Sequence, residues 1–192
     1  MVLAFNNLYN TEIWCADKCT IDTSMSITVT LKDTQSGNVT GRKNDVYIVT
    51  PNGVKSLLTS TNYASTVTVN YTPSEWGLYT IICNHHTKKQ FLVTGWKQYN
   101  INGSFLILYY NETKVILRIY TDGLTGTNSN WVVQGTIPNE YSFLRPEIPA
   151  FVSSYTTKGE WAVDTDGVIR FRRWANTTGG EYNTITWARK DV

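Results

Sequence analysis

Apolar and polar residues alternate along much of this chain with a period of two, which is the period of a β-strand with one buried face. The clearest case is segment 26–33, SITVTLKD, in which Ile27, Val29 and Leu31 share one side and threonines share the other. No stretch of a dozen residues repeats with a helical period. Short strands recur with turn signals between them, so the sequence predicts an all-β protein built from sandwiches.

Turn residues place several of these strands. Between two strand-like segments, Pro51 can take the first corner of a turn and Gly53 can take a left-handed conformation, which predicts a hairpin. A second strand pair is predicted about residues 111–113, and residues 183–192 are expected to form the last strand. The longest apolar run, residues 105–110, has the length of a buried strand.

A third hairpin is predicted in segment 161–174, WAVDTDGVIRFRRW. A two-residue loop would mix arginines with apolar residues on both faces, whereas a three-residue loop at 165–167 makes one face wholly apolar. That apolar face holds Trp161, Val163, Ile169 and Phe171. The other face holds the pairs Glu160–Arg172 and Ala162–Arg170. Because a slip of one residue would bury arginine, the three-residue loop is strongly preferred, with Gly167 in the left-handed position.

Asp164 and Asp166 in this hairpin could belong to a calcium loop, a catalytic pair or a turn. An EF-hand needs an oxygen ligand at its fifth position and a glutamate at its twelfth, which here are Val168 and Ala175. The EF-hand is therefore excluded, and the turn is the favoured interpretation. An ion bound by the loop in another way, or a carboxylate pair formed in three dimensions, remains an alternative.

Charge and composition narrow the function classes. The net charge is +2 and no run of Lys and Arg exceeds two residues, so nucleic-acid binding has little support. No apolar run approaches a membrane span, and no secretory signal follows Met1. The sequence contains neither a phosphate-binding glycine loop nor a Gly-x-Ser-x-Gly elbow. We therefore expect a protein that is not an enzyme, that uses no cofactor and that does not insert into membranes.

The cysteines and histidines do not predict a metal site. An odd number of cysteines, Cys15, Cys19 and Cys83, is not a disulfide framework. His85 and His86 are adjacent, and adjacent side chains on a strand point to opposite faces, which disfavours zinc. We expect either one bridge from Cys83 to the N-terminal segment or three buried thiols.

Residues 20–94 resemble the immunoglobulin-like domains repeated in bacterial and archaeal surface adhesins. The matching segments are Thr28–Asp33, Thr50–Gly53, Val67–Pro73 and Trp76–Thr80. The resemblance implies that Tyr79 is the tyrosine at the corner before the penultimate strand. Cys83 lies four residues beyond Tyr79 rather than two, on the same face, which argues against the standard bridge between the sheets.

Residues 128–192 are similar to the C-terminal modules of tailed-virus tail fibre and baseplate proteins. The similarity rests on Gly135-Thr-Ile-Pro138, Tyr141, Arg145-Pro146 and the segment Trp161–Arg170. In this chain Ser-Phe-Leu separates Tyr141 from Arg145, which departs from the pattern of that family. The resemblance implies a small β-domain, commonly trimeric, at the tip of a host-recognition fibre.

Together these features predict two domains, 1–95 and 96–192: an immunoglobulin-like sandwich with an N-terminal extension, then a small sandwich or jelly-roll-like head. The expected protein is a virion tail or surface-fibre component, a homotrimer that contacts other tail or capsid proteins and attaches to a host-surface glycan or protein. The alternatives are a non-viral cell-surface adhesin or carbohydrate-binding module, located on the extracellular surface, and, third, a hydrolase.

Aromatic residues supply the candidate binding site. The chain has seven Trp and twelve Tyr, more than two small cores need. Four tryptophans among strand apolars are expected in the core: Trp14, Trp76, Trp131 and Trp161. Exposed aromatics next to arginines often mark recognition surfaces, so the predicted site comprises Trp174, Trp187, Tyr182, Arg172 and Arg173. Packing between subunits or in an ordinary core is the alternative role for these rings.

Overall fold

The structure is a computed structural model that describes residues 9–33, 35–83, 87–103, 105–121, 128–154, 158–175 and 181–190. It confirms the all-β fold, and it divides into two compact units, Met1–Gly95 and Trp96–Val192. The division falls where the sequence changes in composition; that each unit folds alone stays a prediction. No helix within these described ranges is long and apolar enough to cross a membrane.

The first unit is an immunoglobulin-like sandwich of two sheets around one core. Its strands are β1 Tyr9–Trp14, β2 Lys18–Thr20, β3 Met25–Asp33, β4 Asp45–Val49, β5 Lys55–Ser60, β6 Thr66–Tyr71, β7 Gly77–Cys83 and β8 Thr87–Thr94. One sheet has the order β1-β3-β6 and the other β2-β8-β7-β4-β5. The hairpin of β4 and β5 is confirmed, with Gly53 at φ +80°. The sequence did not predict β1 and β2, which add a strand to each sheet.

The core of this unit follows the predicted alternation. Ile27, Val29 and Leu31 are fully buried. The ring of Tyr79 stacks on Phe91 with centroids 5.2 Å apart. Its hydroxyl accepts a hydrogen bond of 3.2 Å from the Glu75 backbone N–H, which is the tyrosine-corner contact of such sandwiches. Burial raises the pKa of Tyr79 to about 12 because the phenolate would lose its hydration.

The three cysteines are free thiols, so the expected bridge from Cys83 is wrong. Cys83 is buried on the same face as Tyr79, as its spacing of four residues predicted, and burial raises the pKa of its thiol. Cys15 and Cys19 are only half-buried, so the alternative of three buried thiols holds for Cys83 alone.

In its described residues the second unit is a sandwich of two four-stranded sheets. Its strands are β9 Lys97–Asn102, β10 Leu106–Tyr110, β11 Lys114–Thr121, β12 Asn128–Thr136, β13 Ala150–Ser154, β14 Gly159–Val163, β15 Val168–Arg173 and β16 Glu181–Ala188. One sheet has the order β16-β11-β10-β9 and the other β12-β15-β14-β13. The predicted strand pair about residues 111–113 and the predicted last strand are both present. The segment between β12 and β13 contains Pro138, Pro146 and Pro149 and includes a 3-10 helix, Asn139–Leu144.

The hairpin of β14 and β15 has the predicted three-residue loop. Trp161 pairs with Phe171, and Glu160 pairs with Arg172. The predicted apolar face is buried: Trp161, Val163, Ile169 and Phe171. Gly167 has φ +86°. Each aspartate serves the hairpin: Asp166 Oδ1 accepts from the Val168 N–H at 3.0 Å, and Asp164 Oδ2 lies 2.6 Å from Arg170 Nε.

Of the four tryptophans expected in the core, only Trp161 is fully buried. Trp14 is 76 % exposed, because it pairs with Thr28 and shares the outward side of the sheet with it. Trp76 is half-buried and packs against the core of the first unit, so its expectation holds in part, and its Nε1 donates to the Gly95 carbonyl at 3.1 Å. Trp131 is also only half-buried, and its ring lies 4.5 Å from the guanidinium of Arg172. A strand residue is core only if its side of the sheet is covered, and periodicity cannot show that.

Candidate binding surface

The five predicted site residues do not form one surface. Tyr182 is 69 % exposed on β16, and Trp174 is 51 % exposed just after β15, in the other sheet. Trp187 was expected on the outer surface, but it pairs with the buried Val115 and so lies on the inner side of β16. It is half-buried, and its Nε1 donates to the Leu144 carbonyl at 2.8 Å.

The two arginines also separate. Arg173 was expected at the surface as a polar neighbour, but it is only 2 % exposed. It follows Phe171 by two residues and therefore shares its inner face, with its guanidinium 5.6 Å from the Phe171 ring. Arg172 faces outward, where its Nε and Nη2 bind Glu160 Oε2 at 2.9 and 2.6 Å. Arg172 is thus held by a cross-strand pair, and Arg173 is inaccessible to a ligand.

The outer face of the sheet β16-β11-β10-β9 carries an aromatic surface built around Tyr182. We call it the tyrosine face, and its members are Ile107, Tyr109, Ile116, Arg118, Tyr120 and Tyr182. They share one side because β10, β11 and β16 alternate, with Leu106, Leu108, Leu117, Ile119 and Ile185 buried on the other side. The run 105–110, expected to be buried, is therefore buried on one side only.

The strand registers fix the arrangement of the tyrosine face in rows. Tyr120 lies directly opposite Tyr182, and their ring centroids are 4.5 Å apart at an interplanar angle of 60°. The next row crosses all four strands and consists of Thr184, Arg118, Ile107 and Asn100. The row after that consists of Thr186, Ile116, Tyr109 and Gln98. In both of these rows a threonine hydroxyl lies at one end and a side-chain amide at the other, with the larger side chains between them.

Arg118 lies at the centre of this surface. Its side chain is exposed and forms no hydrogen bond or ion pair with the part of the chain that the structure describes. A shallow cavity of about 300 Å³ is lined by Ile107, Arg118, Tyr120 and Tyr182. This volume is at the lower end of the range for small-molecule sites, roughly 300–1,000 Å³. The cavity thus combines two aromatic rings, an aliphatic wall and the exposed guanidinium of Arg118.

Sequence reasoning found Tyr182 but missed Tyr120, Arg118 and Tyr109. A signal was available in β11, KVILRIYT, because a charged residue inside an apolar strand marks the side that faces solvent. With Arg118 outward, the period of two also places Ile116 and Tyr120 outward. The contact of Tyr120 with Tyr182 had no local signal, since it depends on the pairing of β11 with β16.

A larger groove of about 510 Å³ lies along the sandwich edge, between segment 147–151 and residues 184–188 of β16. Ile148 and Phe151 line it and are 77 % and 57 % exposed. Neighbouring large apolar side chains that are exposed to solvent often mark a surface that another molecule covers. No group of three or more His, Cys, Asp or Glu side chains in the described ranges is arranged to hold a metal ion.

Comparison of the chain with known proteins assigns neither a family nor a function to it. No family model matches the sequence, and no curated protein matches it. The tyrosine face must therefore be interpreted from its own chemistry.

Proposed function

We propose that this protein attaches a virion to a host surface as part of a tail or surface fibre, and that the tyrosine face of the second unit is its recognition surface. The observation that carries the proposal is the contact of the half-buried Tyr120 with the exposed Tyr182, beside the exposed side chain of Arg118. Tyrosine and arginine are the residues enriched where proteins recognise other molecules. The two-sandwich architecture supports a role in presenting a surface.

The proposed function predicts that binding depends on the rings of the tyrosine face. Fluorescently labelled protein should bind host cells saturably, and Tyr182→Ala and Tyr120→Ala should each weaken binding by about tenfold or more, the loss expected for an aromatic anchor. The matched control is Tyr63→Ala in the first unit, since Tyr63 is also a largely exposed tyrosine. Equal binding by all three variants would remove the tyrosine face from recognition.

A location in the virion can be tested separately from binding. Antibodies against the chain should label tails or surface fibres of purified particles in electron micrographs. Labelling of the surface of uninfected cells would instead support the alternative, a cellular adhesin or carbohydrate-binding module. The tyrosine face would be the binding surface in either case.

The homotrimer is part of the same proposal. Ile148 and Phe151 in the edge groove offer apolar surface that a second copy of the chain would bury, and a unit of this size gains stability from such packing. Three copies would also present three tyrosine faces and raise avidity.

Light scattering at micromolar concentration should then give three times the chain mass of 21.8 kDa. Phe151→Ser should shift the mass toward that of one chain, whereas Leu78→Ser, at an exposed leucine of the first unit, should not. A wild-type monomer would refute the free-standing trimer and leave the recognition surface to its own test.

A further inference from the structure

The cavity on the tyrosine face combines aromatic rings with positive charge. Arg118 occupies the middle of its row, between Thr184 on β16 and Ile107 on β10. Lys114 is four residues earlier on the same strand and side, and it pairs with Ala188. None of the described residues that share this side of the four strands is Asp or Glu. Among the described residues of these strands, the surface therefore carries the positive charges of Arg118 and Lys114 with no acidic side chain on the same side.

A ligand that covers this surface must compensate Arg118. Covering a guanidinium removes part of its hydration, and this is costly unless an anion or several acceptors replace the water. A carboxylate matches this requirement, because the planar fork of arginine donates two parallel hydrogen bonds to it. Charge complementarity thus calls for an anionic group directly above Arg118.

The neighbours of Arg118 define the rest of the ligand. The tilted rings of Tyr120 and Tyr182 form one wall of the cavity, and Ile107 forms another. Such walls accept a compact ring with an apolar face. Thr184 and Asn100, in the same row as Arg118, supply a hydroxyl and an amide that can both donate and accept hydrogen bonds. A sugar ring has an apolar C–H face and a rim of hydroxyl groups, and a cavity of about 300 Å³ suits one such ring with its substituents.

We propose that the tyrosine face binds an acidic glycan, with the carboxylate of one sugar residue paired to Arg118 and its ring packed on Tyr120 and Tyr182. This inference rests on the proposed function, because it names the ligand class of the same surface. It adds a requirement for a carboxylate that recognition by the tyrosines alone does not include.

The test is an array of sulfated oligosaccharides and of matched pairs, each uronic-acid or sialic-acid glycan beside its carboxyl-reduced form. Calorimetry follows on the pair that binds best. The full chain should prefer the acidic member by about 10- to 100-fold, the range for a hydrogen bond to a charged group. Arg118→Gln should remove this preference for the acidic glycan, whereas Arg118→Lys should keep part of it. The control is Arg42→Gln, at an exposed arginine of the first unit. Added salt should weaken binding of the acidic glycan only.

The outcomes separate the inference from the proposed function. If acidic and reduced glycans bind equally well and both need Tyr182, the recognition surface stands and the carboxylate requirement is refuted. If only sulfated glycans bind through Arg118, the carboxylate assignment is likewise refuted. If binding of every glycan is unchanged in Tyr182→Ala and Tyr120→Ala, or if no glycan binds, both the inference and glycan recognition by the tyrosine face fail.

Discussion

Truncation of Phe171 tests the register of the β14–β15 hairpin most directly. Phe171 is 7 % exposed, and its ring centroid lies 4.7 Å from that of Trp161 on the opposite strand. The ring also reaches Gly159 so closely that a Cβ added there would lie 2.5 Å from Phe171 Cε2. Phe171→Ala would therefore leave a cavity walled by Trp161 and by backbone, with little freedom to collapse.

The expected loss is about 3–5 kcal/mol in the free energy of unfolding, the range for removing a buried aromatic ring. This is a large fraction of the total stability of a small domain, roughly 5–15 kcal/mol. With a urea dependence of about 1–3 kcal/mol per M, the midpoint for the second unit should fall by about 1 M or more.

The control is Arg172→Ala, at the next residue on the outer face. From the sequence alone, Glu160 and Arg172 form an exposed cross-strand pair, and its removal should lower the free energy of unfolding by less than about 1 kcal/mol. The structure raises this expectation to about 1–2 kcal/mol, because the side chain of Glu160 is only 18 % exposed and the guanidinium also covers Trp131. The loss should still be clearly smaller than that of Phe171→Ala.

The assay is urea unfolding of the full chain, monitored by tryptophan fluorescence, to which Trp161 contributes a signal from the site itself. Equal losses from Phe171→Ala and Arg172→Ala would refute the register.

A second check uses Gly159→Ala, which alone should cost about 1–3 kcal/mol through overpacking against the ring. In the Phe171→Ala background this cost should shrink, since the clashing ring is gone; an undiminished cost would contradict the contact.

Three further predictions concern the first unit and the boundary. Limited proteolysis within 93–103 should release two folded units, and a loss of structure in both after every such cut would refute the division. In the native protein Cys83 should resist a thiol reagent at pH 8 while Cys15 and Cys19 react slowly, with all three reacting in urea; early labelling of Cys83 would contradict its burial. The pKa of Tyr79 is about 12 in the folded protein and about 10 in the unfolded chain. The free energy of unfolding should therefore be undiminished below pH 10 and should decrease above it by up to about 1.4 kcal/mol per pH unit. Tyr79→Phe should flatten that decline in urea melts between pH 9 and 11; an equally steep decline in the variant would refute the assignment.

The sequence by itself determined the features that depend on neighbours along the chain. The alternation of Ile27, Val29 and Leu31 gave the buried side of β3, because successive strand residues point to opposite faces. The hairpin at 161–174 could be predicted to the residue, because the other register would have placed Arg172 opposite Trp161 and Arg170 opposite Val163, and Gly167 fits only one position of the turn. Both predictions needed only periodicity and local conformation.

Only the tertiary structure decided which sides of the sheets are covered. Trp14 and Trp131 have apolar neighbours in sequence, yet their sides of the sheets are at least partly open to solvent. Arg173 is charged, yet its side is closed. The tyrosine face likewise exists because β11 pairs with β16, which brings Tyr120 against Tyr182 from distant parts of the chain. The pairing of strands that are distant in sequence and the packing of the two layers are decided by the whole fold, so no local pattern of residues contains them.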